Sequence, residues 1–355
     1  MNIIDAAQPV RAGEELDISR IESFLRDAIP GLTGAIAVSQ FPSGHSNLTY
    51  LITAGDREFV LRRPPFGRKV KTAHDMGREY RVLKALRPLY PYCPEALAYT
   101  EDEAVLGCPF YIMERLKGII LRKEPPPGMD LSAAAARRLC ERLIDVFVEL
   151  HRVAYRGTDL EGLGRPDGYV RRQVTGWSER YRGARTPDAP DCEAVMAWLL
   201  ERMPSTSPAP AVIHNDYRFD NVVLSPEDPQ RIIGVLDWEM ATIGDPLMDL
   251  GSSLGYWMQA DDPQEAQMMG MLPTNLPGAL TRVEMVQRYA EKSGVTIDNF
   301  DFYLCFGIFR IGVIIQQIYY RYYHGQTKDE RFSAIIFGVH IAGQIAQGII
   351  RESSL

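Results

Sequence analysis

From Val212 the chain reads V-I-H-N-D-Y-R-F-D-N as far as Asn221, and a further apolar run, Ile232-Ile233-Gly234-Val235-Leu236, ends on Asp237. Both runs are strand-like, so His214, Asp216 and Asn221 fall on a short turn between strands, and Asp237 falls at the end of the next strand. A single loop Asp is ordinarily a cap or turn residue, because its side chain bonds the local backbone. A His, an Asp, an Asn and a later strand-terminal Asp in this order constrain the chain far more. They supply one proton acceptor and two oxygen ligands for a divalent cation.

Phosphoryl transfer needs those parts: an aligned hydroxyl, a group to take its proton, and Mg²⁺ to neutralise charge on the phosphates. Asp216 suits the base, and Asn221 with Asp237 suit the metal. The order matches kinase catalytic and metal-binding loops. In such loops the position of His214 braces the turn, so it is read as structural. The pattern continues through Leu236-Asp237-Trp238-Glu239, Gly244-Asp245-Pro246 and Asp249-Leu250. With these motifs the chain resembles the aminoglycoside phosphotransferase-like family of small-molecule kinases. Within that family it is most similar to the branch related to the kinase-like domain fused to acyl-CoA dehydrogenases. The similarity takes in Leu61-Arg62-Arg63-Pro64-Pro65 and Arg310 to Gly325, nearly the whole chain.

The resemblance implies an α+β, bilobal protein-kinase-like fold with Mg·ATP in the cleft between lobes. At 355 residues the chain is long enough for two cores. The expected division is a β-rich, nucleotide-binding lobe over 1–116, with a leading helix over 17–29, and a larger, mostly helical catalytic and substrate lobe over 117–355. Asp17 caps the leading helix, whose stripe is Ile18, Ile21, Leu25 and Ile29. Strand-like runs over 35–41, 47–53 and 58–63 predict an antiparallel meander. Its first turn, Ser43, Gly44, His45, Ser46 and Asn47, is small and polar enough for backbone N–H groups to approach phosphate oxygens.

Alternation on the third strand puts Val60 and Arg62 on the face toward the cleft and Phe59 and Leu61 on the other. Protein kinases carry a lysine here, paired to a glutamate on the next helix. Arg62 stands in its place, and Glu79, on a helix predicted over 73–87, is the natural partner. The resemblance makes the backbone around Glu114 and Leu116 the hinge that bonds adenine. A long helix from Leu131 carries Leu139, Leu143, Val146, Phe147 and Leu150, and His151 at its end reads as structural because nothing nearby supplies an orienting carboxylate pattern.

The acceptor is read from charge. The chain carries a net −7, which argues against a general nucleic-acid or membrane-surface binder. Yet Arg165, Arg171, Arg172, Arg180, Arg182 and Arg185 cluster among Tyr169, Trp177 and Tyr181, with Arg310, Arg321 and Arg331 later. Arginine forks suit phosphate and carboxylate oxygens. Arg171, Arg172, Arg310 and Arg321 are the candidates for an anionic, hydroxylated small molecule, with a hydroxyacyl-CoA as the specific expectation. Asp261, Asp262 and Glu265 are the counterweight. The alternatives are an aminoglycoside or other small-molecule kinase, or a catalytically silent kinase-like binding module, for which the missing lysine argues. The cysteines are five, scattered and without a C-x-x-C pair, and the N-terminus shows no secretory pattern, so a reducing cytoplasm is expected. The apolar run from Phe302 to Tyr320, interrupted by Arg310, Gln316 and Gln317, is read as a buried helix and not a membrane span. No residue pattern bears on oligomeric state.

Overall fold

The computed structural model describes residues 4–42, 47–66, 75–129, 131–268, 270–327 and 329–355. Helix α1 (Ile18–Ala28) starts where the Asp17 carboxylate accepts the N–H groups of Ser19 and Arg20. It buries Ile21 and Leu25, while Ile18, the first residue of the expected stripe, stays 42% exposed. Strands β1 (Ile36–Gln40), β2 (Leu48–Ala54) and β3 (Arg57–Arg63) form the expected antiparallel meander. Helix α2 (Met76–Leu86), strand β4 (Ala96–Thr100), helix α3 (Glu103–Leu106) and strand β5 (Phe110–Glu114) complete this region. The sheet order is β1-β2-β3-β5-β4. Strand β4 has no strong pattern of its own, with two alanines among its residues, and takes its state from pairing with β5.

The chain continues through α4 (Ala133–His151), α5 (Tyr169–Ala184), α6 (Glu193–Glu201), β6 (Ala211–Ile213), β7 (Val222–Leu224), β8 (Ile232–Val235) and β9 (Thr242–Gly244). Helices α7 (Pro246–Gly255), α8 (Gln264–Met268), α9 (Arg282–Ser293), α10 (Asp301–Tyr323) and α11 (Ile336–Glu352) follow. Two compact units result. The first comprises Met1–Ile120, Thr158–Leu160 and Val222–Ala241; the second comprises Leu121–Gly157, Glu161–Asn221 and Thr242–Leu355. A single boundary at residue 116 puts the β7–β8 hairpin with the later residues, whereas its contacts lie in the first unit. Ile119 and Leu224 exchange backbone hydrogen bonds of 2.9 and 2.8 Å. Gly118 permits that crossing, since a Cβ there would overlap the Leu224 carbonyl oxygen.

In the first unit one face of the sheet, with Tyr50, Ile52, Phe59, Leu61 and Ile112, packs with Ile21 and Leu25 of α1 into a single core. Val60 and Arg62 are thereby turned to the opposite face, as alternation requires. In the second unit α10 is the central element, packed against α11, α7 and α5. By length and composition alone, Asp301–Tyr323 and Glu330–Glu352 could each cross a membrane. Of the first, 67% of the apolar window is buried in the protein, as a core helix requires, and 33% of the second. Arg310 and Gln316, which interrupt the first, are themselves buried and hydrogen-bonded.

Candidate active site

In the second unit, β6 and β9 pair antiparallel and the His214–Asn221 turn leaves the end of β6. Asn215 adopts a left-handed backbone, φ 64°, which a non-glycine residue keeps only when its surroundings hold it. Asp249, fully buried on α7, does so: its carboxylate accepts the N–H groups of His214 at 2.6 Å and Asn215 at 2.7 Å. Arg310 donates to the Asn215 carbonyl at 2.8 Å, and the Tyr169 hydroxyl donates to the Asn215 side chain at 3.1 Å. His214 is buried, and its Nδ1 accepts the Asp216 N–H at 3.2 Å, a bracing role. His151 is also structural, but a carboxylate is near after all: Asp249 lies 3.2 Å from its Nε2, and the Tyr289 hydroxyl 2.7 Å from its Nδ1.

This scaffold presents Asp216. Asn221 donates Nδ2 to the Asp216 carbonyl at 2.8 Å and to its carboxylate at 2.9 Å. Arg218 places Nε 3.3 Å from the Asp216 carboxylate and 3.0 Å from that of Asp220. Burial pushes the Asp220 carboxyl up to about 6, with Arg218 opposing and Asp216 adding to the shift. Arg218 and Asp220 were not singled out from sequence, although both lie inside the motif.

In the first unit the expected Arg62–Glu79 pair is present. Arg62 is 7% exposed and Glu79 2%, with Nη1 2.5 Å from Oε1. The other guanidinium nitrogen of Arg62 lies 3.1 Å from Asp237 and 3.9 Å from Glu239. Burial alone would favour a neutral guanidine, but Glu79, with Tyr111, Asp237 and Glu239, holds Arg62 well above its usual range. For Glu79, burial pushes the carboxyl up and Arg62 pulls it back. Asp237 is left-handed, φ 66°, at the end of β8. Asn47 donates to Glu239 at 2.9 Å. Val60 is buried on β3, while Arg63 faces away, its guanidinium 3.8 Å over the Phe66 ring. Ser43, Gly44, His45 and Ser46 lie outside the described residues. At the expected hinge the Glu114 N–H is already donated to the Glu95 carbonyl at 2.9 Å. The Leu116 N–H has no such partner among the described residues.

The four arginines proposed for the acceptor do not share one patch. Arg310 is buried, donating to the Asn215 carbonyl and lying 5.2 Å over Trp177. Arg172 folds back onto the carbonyls of Arg165 and Asp167, closing the loop ahead of α5. Arg171 and Arg321 are exposed. Helices α5 and α10 run the same way, since Arg310 meets Trp177 while Gln316 bonds Ala184 and Tyr319 bonds Asp188. Arg171 and Arg321 thus stand at opposite ends, roughly 25 Å apart at 1.5 Å of rise per residue. Among the acidic residues set against them, Asp262 is held by Arg282 at 2.6 Å.

A family model described as APH, phosphotransferase enzyme family, matches residues 37–279. This chain belongs to the phosphotransferase enzyme family. Acyl-CoA dehydrogenase family member 10 of Mus musculus is 34% identical over 325 residues, which are 91% of this chain and 30% of that protein. The chain therefore spans under a third of that relative's length. A crystal structure from Ralstonia eutropha JMP134, of a protein assigned as an aminoglycoside phosphotransferase, superposes with a TM-score of 0.81 at 28% identity, covering 96% of this chain and all of that one. Choline kinase of Cryptosporidium parvum Iowa II shares the fold, with a TM-score of 0.65 at 13% identity over 95% of this chain and 96% of its own. The phosphotransferase fold here is thus the kinase-like α+β fold.

Proposed function

We propose that this chain transfers the γ-phosphoryl group of Mg·ATP to a hydroxyl of a small anionic acceptor, specifically a hydroxyacyl-CoA. The observation that carries the phosphotransferase chemistry is the Asn221–Asp216 pairing. Asn221 spends its Nδ2 on Asp216. That fixes the base and leaves the Asn221 Oδ1 as an oxygen donor. Asp237 adds a carboxylate in a held, left-handed backbone. Among the described residues no group of three or more His, Cys, Asp or Glu could hold a metal by itself. That donor set suits Mg²⁺, which takes one or two carboxylates and completes its shell with water and phosphate oxygens. When bound, Mg²⁺ supplies charge neutralisation and a template for the phosphates.

In this assignment a carboxylate oxygen of Asp216 accepts the acceptor hydroxyl's proton, and Arg62, held by Glu79, neutralises phosphate charge. Asn221 and Asp237 would hold the metal, and the Leu116 N–H would be the donor offered to the adenine ring. Positioning and electrostatics then supply most of the rate. The anionic acceptor is supported by Arg171, exposed and with no side-chain hydrogen bond or ion pair among the described residues. Similarity to a relative whose name carries acyl-CoA supports the thioester.

The test is a steady-state assay of ATP-to-ADP turnover with hydroxyacyl-CoA thioesters. Turnover is expected with these, weakened by salt and by Arg171→Ala, and absent with kanamycin-like amines. Efficient aminoglycoside phosphorylation without response to any CoA thioester reverses the acceptor. Tight nucleotide binding with no Mg²⁺-dependent turnover on any hydroxylated acceptor leaves the silent binding module.

A further inference from the structure

Asp237 sits in a backbone conformation that costs free energy, so neighbouring structure has to hold it. Part of the hold is local. The residues after it, Trp238–Met240, form a tight turn, the Trp238 indole N–H donates to the Val235 carbonyl at 2.8 Å, and the Ala241 N–H to the Trp238 carbonyl at 3.1 Å. Another part comes from 161 and 163 residues away in sequence. Arg78, in the first turn of α2, donates one guanidinium nitrogen to the Glu239 carbonyl at 2.8 Å and the other to the Ala241 carbonyl. Its own backbone N–H is held by the Asp75 cap at 2.8 Å.

The next residue on the same helical turn is Glu79, the partner of Arg62. One dipeptide of α2 therefore fixes two things at once: Glu79 sets Arg62, and Arg78 sets the turn that carries Asp237 and Glu239. We infer that Arg78 is a positioning residue that locks helix α2 to the Asp237 turn, and that this lock sets the affinity for the metal-bound nucleotide. It rests on the proposed Mg·nucleotide chemistry for its consequence, though the lock itself does not. A planar fork is required. Two carbonyls two residues apart are reached by the two terminal nitrogens of a guanidinium, whereas a lysine ammonium is a single point donor.

The test uses the full chain with Arg78→Met, which keeps the stem and removes both donors, and Arg78→Lys, which keeps the charge. Arg81→Met, exposed on the same helix, is the control. Two readouts are taken: hydrogen exchange of the peptide spanning 236–241 without nucleotide, and calorimetric titration of ADP with and without Mg²⁺. Removing an outer partner of a ligand costs ~10- to 100-fold in metal affinity. Arg78→Met should therefore weaken Mg²⁺-dependent ADP binding by ~10-fold or more, leave metal-free ADP binding within ~2-fold, and speed exchange over 236–241 but not in α10. Arg78→Lys should show the same signs, and Arg81→Met none. Unchanged exchange over 236–241 overturns the lock; equal losses of ADP binding with and without Mg²⁺ reduce Arg78 to general stability and overturn its role. Should Arg78→Met not fold, Arg78→Lys decides on the same two readouts. Wild-type chain that binds no nucleotide sinks the proposed function, while the exchange comparison still judges the lock.

Discussion

Asp216 is the residue whose environment does most to define its use: it is tied by Asn221, flanked by Arg218, and carried on a turn braced by Asp249. Asp216→Asn keeps the shape and removes the proposed proton acceptor, so turnover should fall by ~10² or more with nucleotide binding nearly intact. Full activity in that variant, in a single-turnover assay, would falsify the mechanism. Asp237→Ala is different in kind, because a proposed metal ligand goes; calorimetry should show weaker Mg·ATP binding, and unchanged binding removes Asp237 from the proposed site. Arg62→Ala leaves Glu79 buried beside no cation, so it should lower both productive ATP use and melting temperature more than Arg63→Ala, which faces the other way. Equal effects would mean that the strand faces are exchanged. The Arg62–Glu79 pair was legible because strand alternation and the order of elements place both residues. Glu239 and Arg78 were not, since a carboxylate two residues after Asp237 and an arginine on a helix both read as surface charge until the turn and helix meet.

Among the elements, α7 and α10 approach most closely through glycine. A Cβ on Gly307 would overlap the Gly251 carbonyl oxygen, whereas one on Gly183 of α5 meets nothing within 4 Å. Gly307→Ala should thus cost about 2 kcal/mol or more in denaturant unfolding, by forcing the two helices apart. Gly183→Ala should be neutral or stabilising by up to about 1 kcal/mol, as helix propensity favours alanine. A tolerated Gly307→Ala would show that the pair is not in tight backbone contact. Apolar patterning gave the extents of α1, α4 and α10 to within a few residues, and the β-rich runs gave β1, β2 and β3. The common direction of α5 and α10 is another matter: no local pattern states which way two helices lie, and that direction is what separates Arg171 from Arg321.

Across the whole molecule the thiols report the packing. Cys93, Cys140, Cys192 and Cys305 are buried and Cys108 is half-buried, all free. Burial pushes every one of these thiols up, Cys140 to about 11. A thiol-specific reagent near pH 8 should therefore find at most Cys108 in the native chain and all five cysteines in denaturant. A second thiol reacting quickly in the native chain would contradict this packing. By itself the sequence determined the order of the motif residues and the secondary-structure periods, because these depend on local backbone chemistry and on spacing along one chain; the kinase-like α+β class came with the resemblance those motifs carry. Only the tertiary structure decided that the β7–β8 hairpin joins the first unit, that Asp249 reaches His151 from 98 residues on, and that Arg310 is spent on the Asn215 carbonyl. Those outcomes turn on which buried polar groups find partners across long stretches of chain. A buried N–H, carbonyl or guanidinium must be paired, but the choice of partner is made by packing.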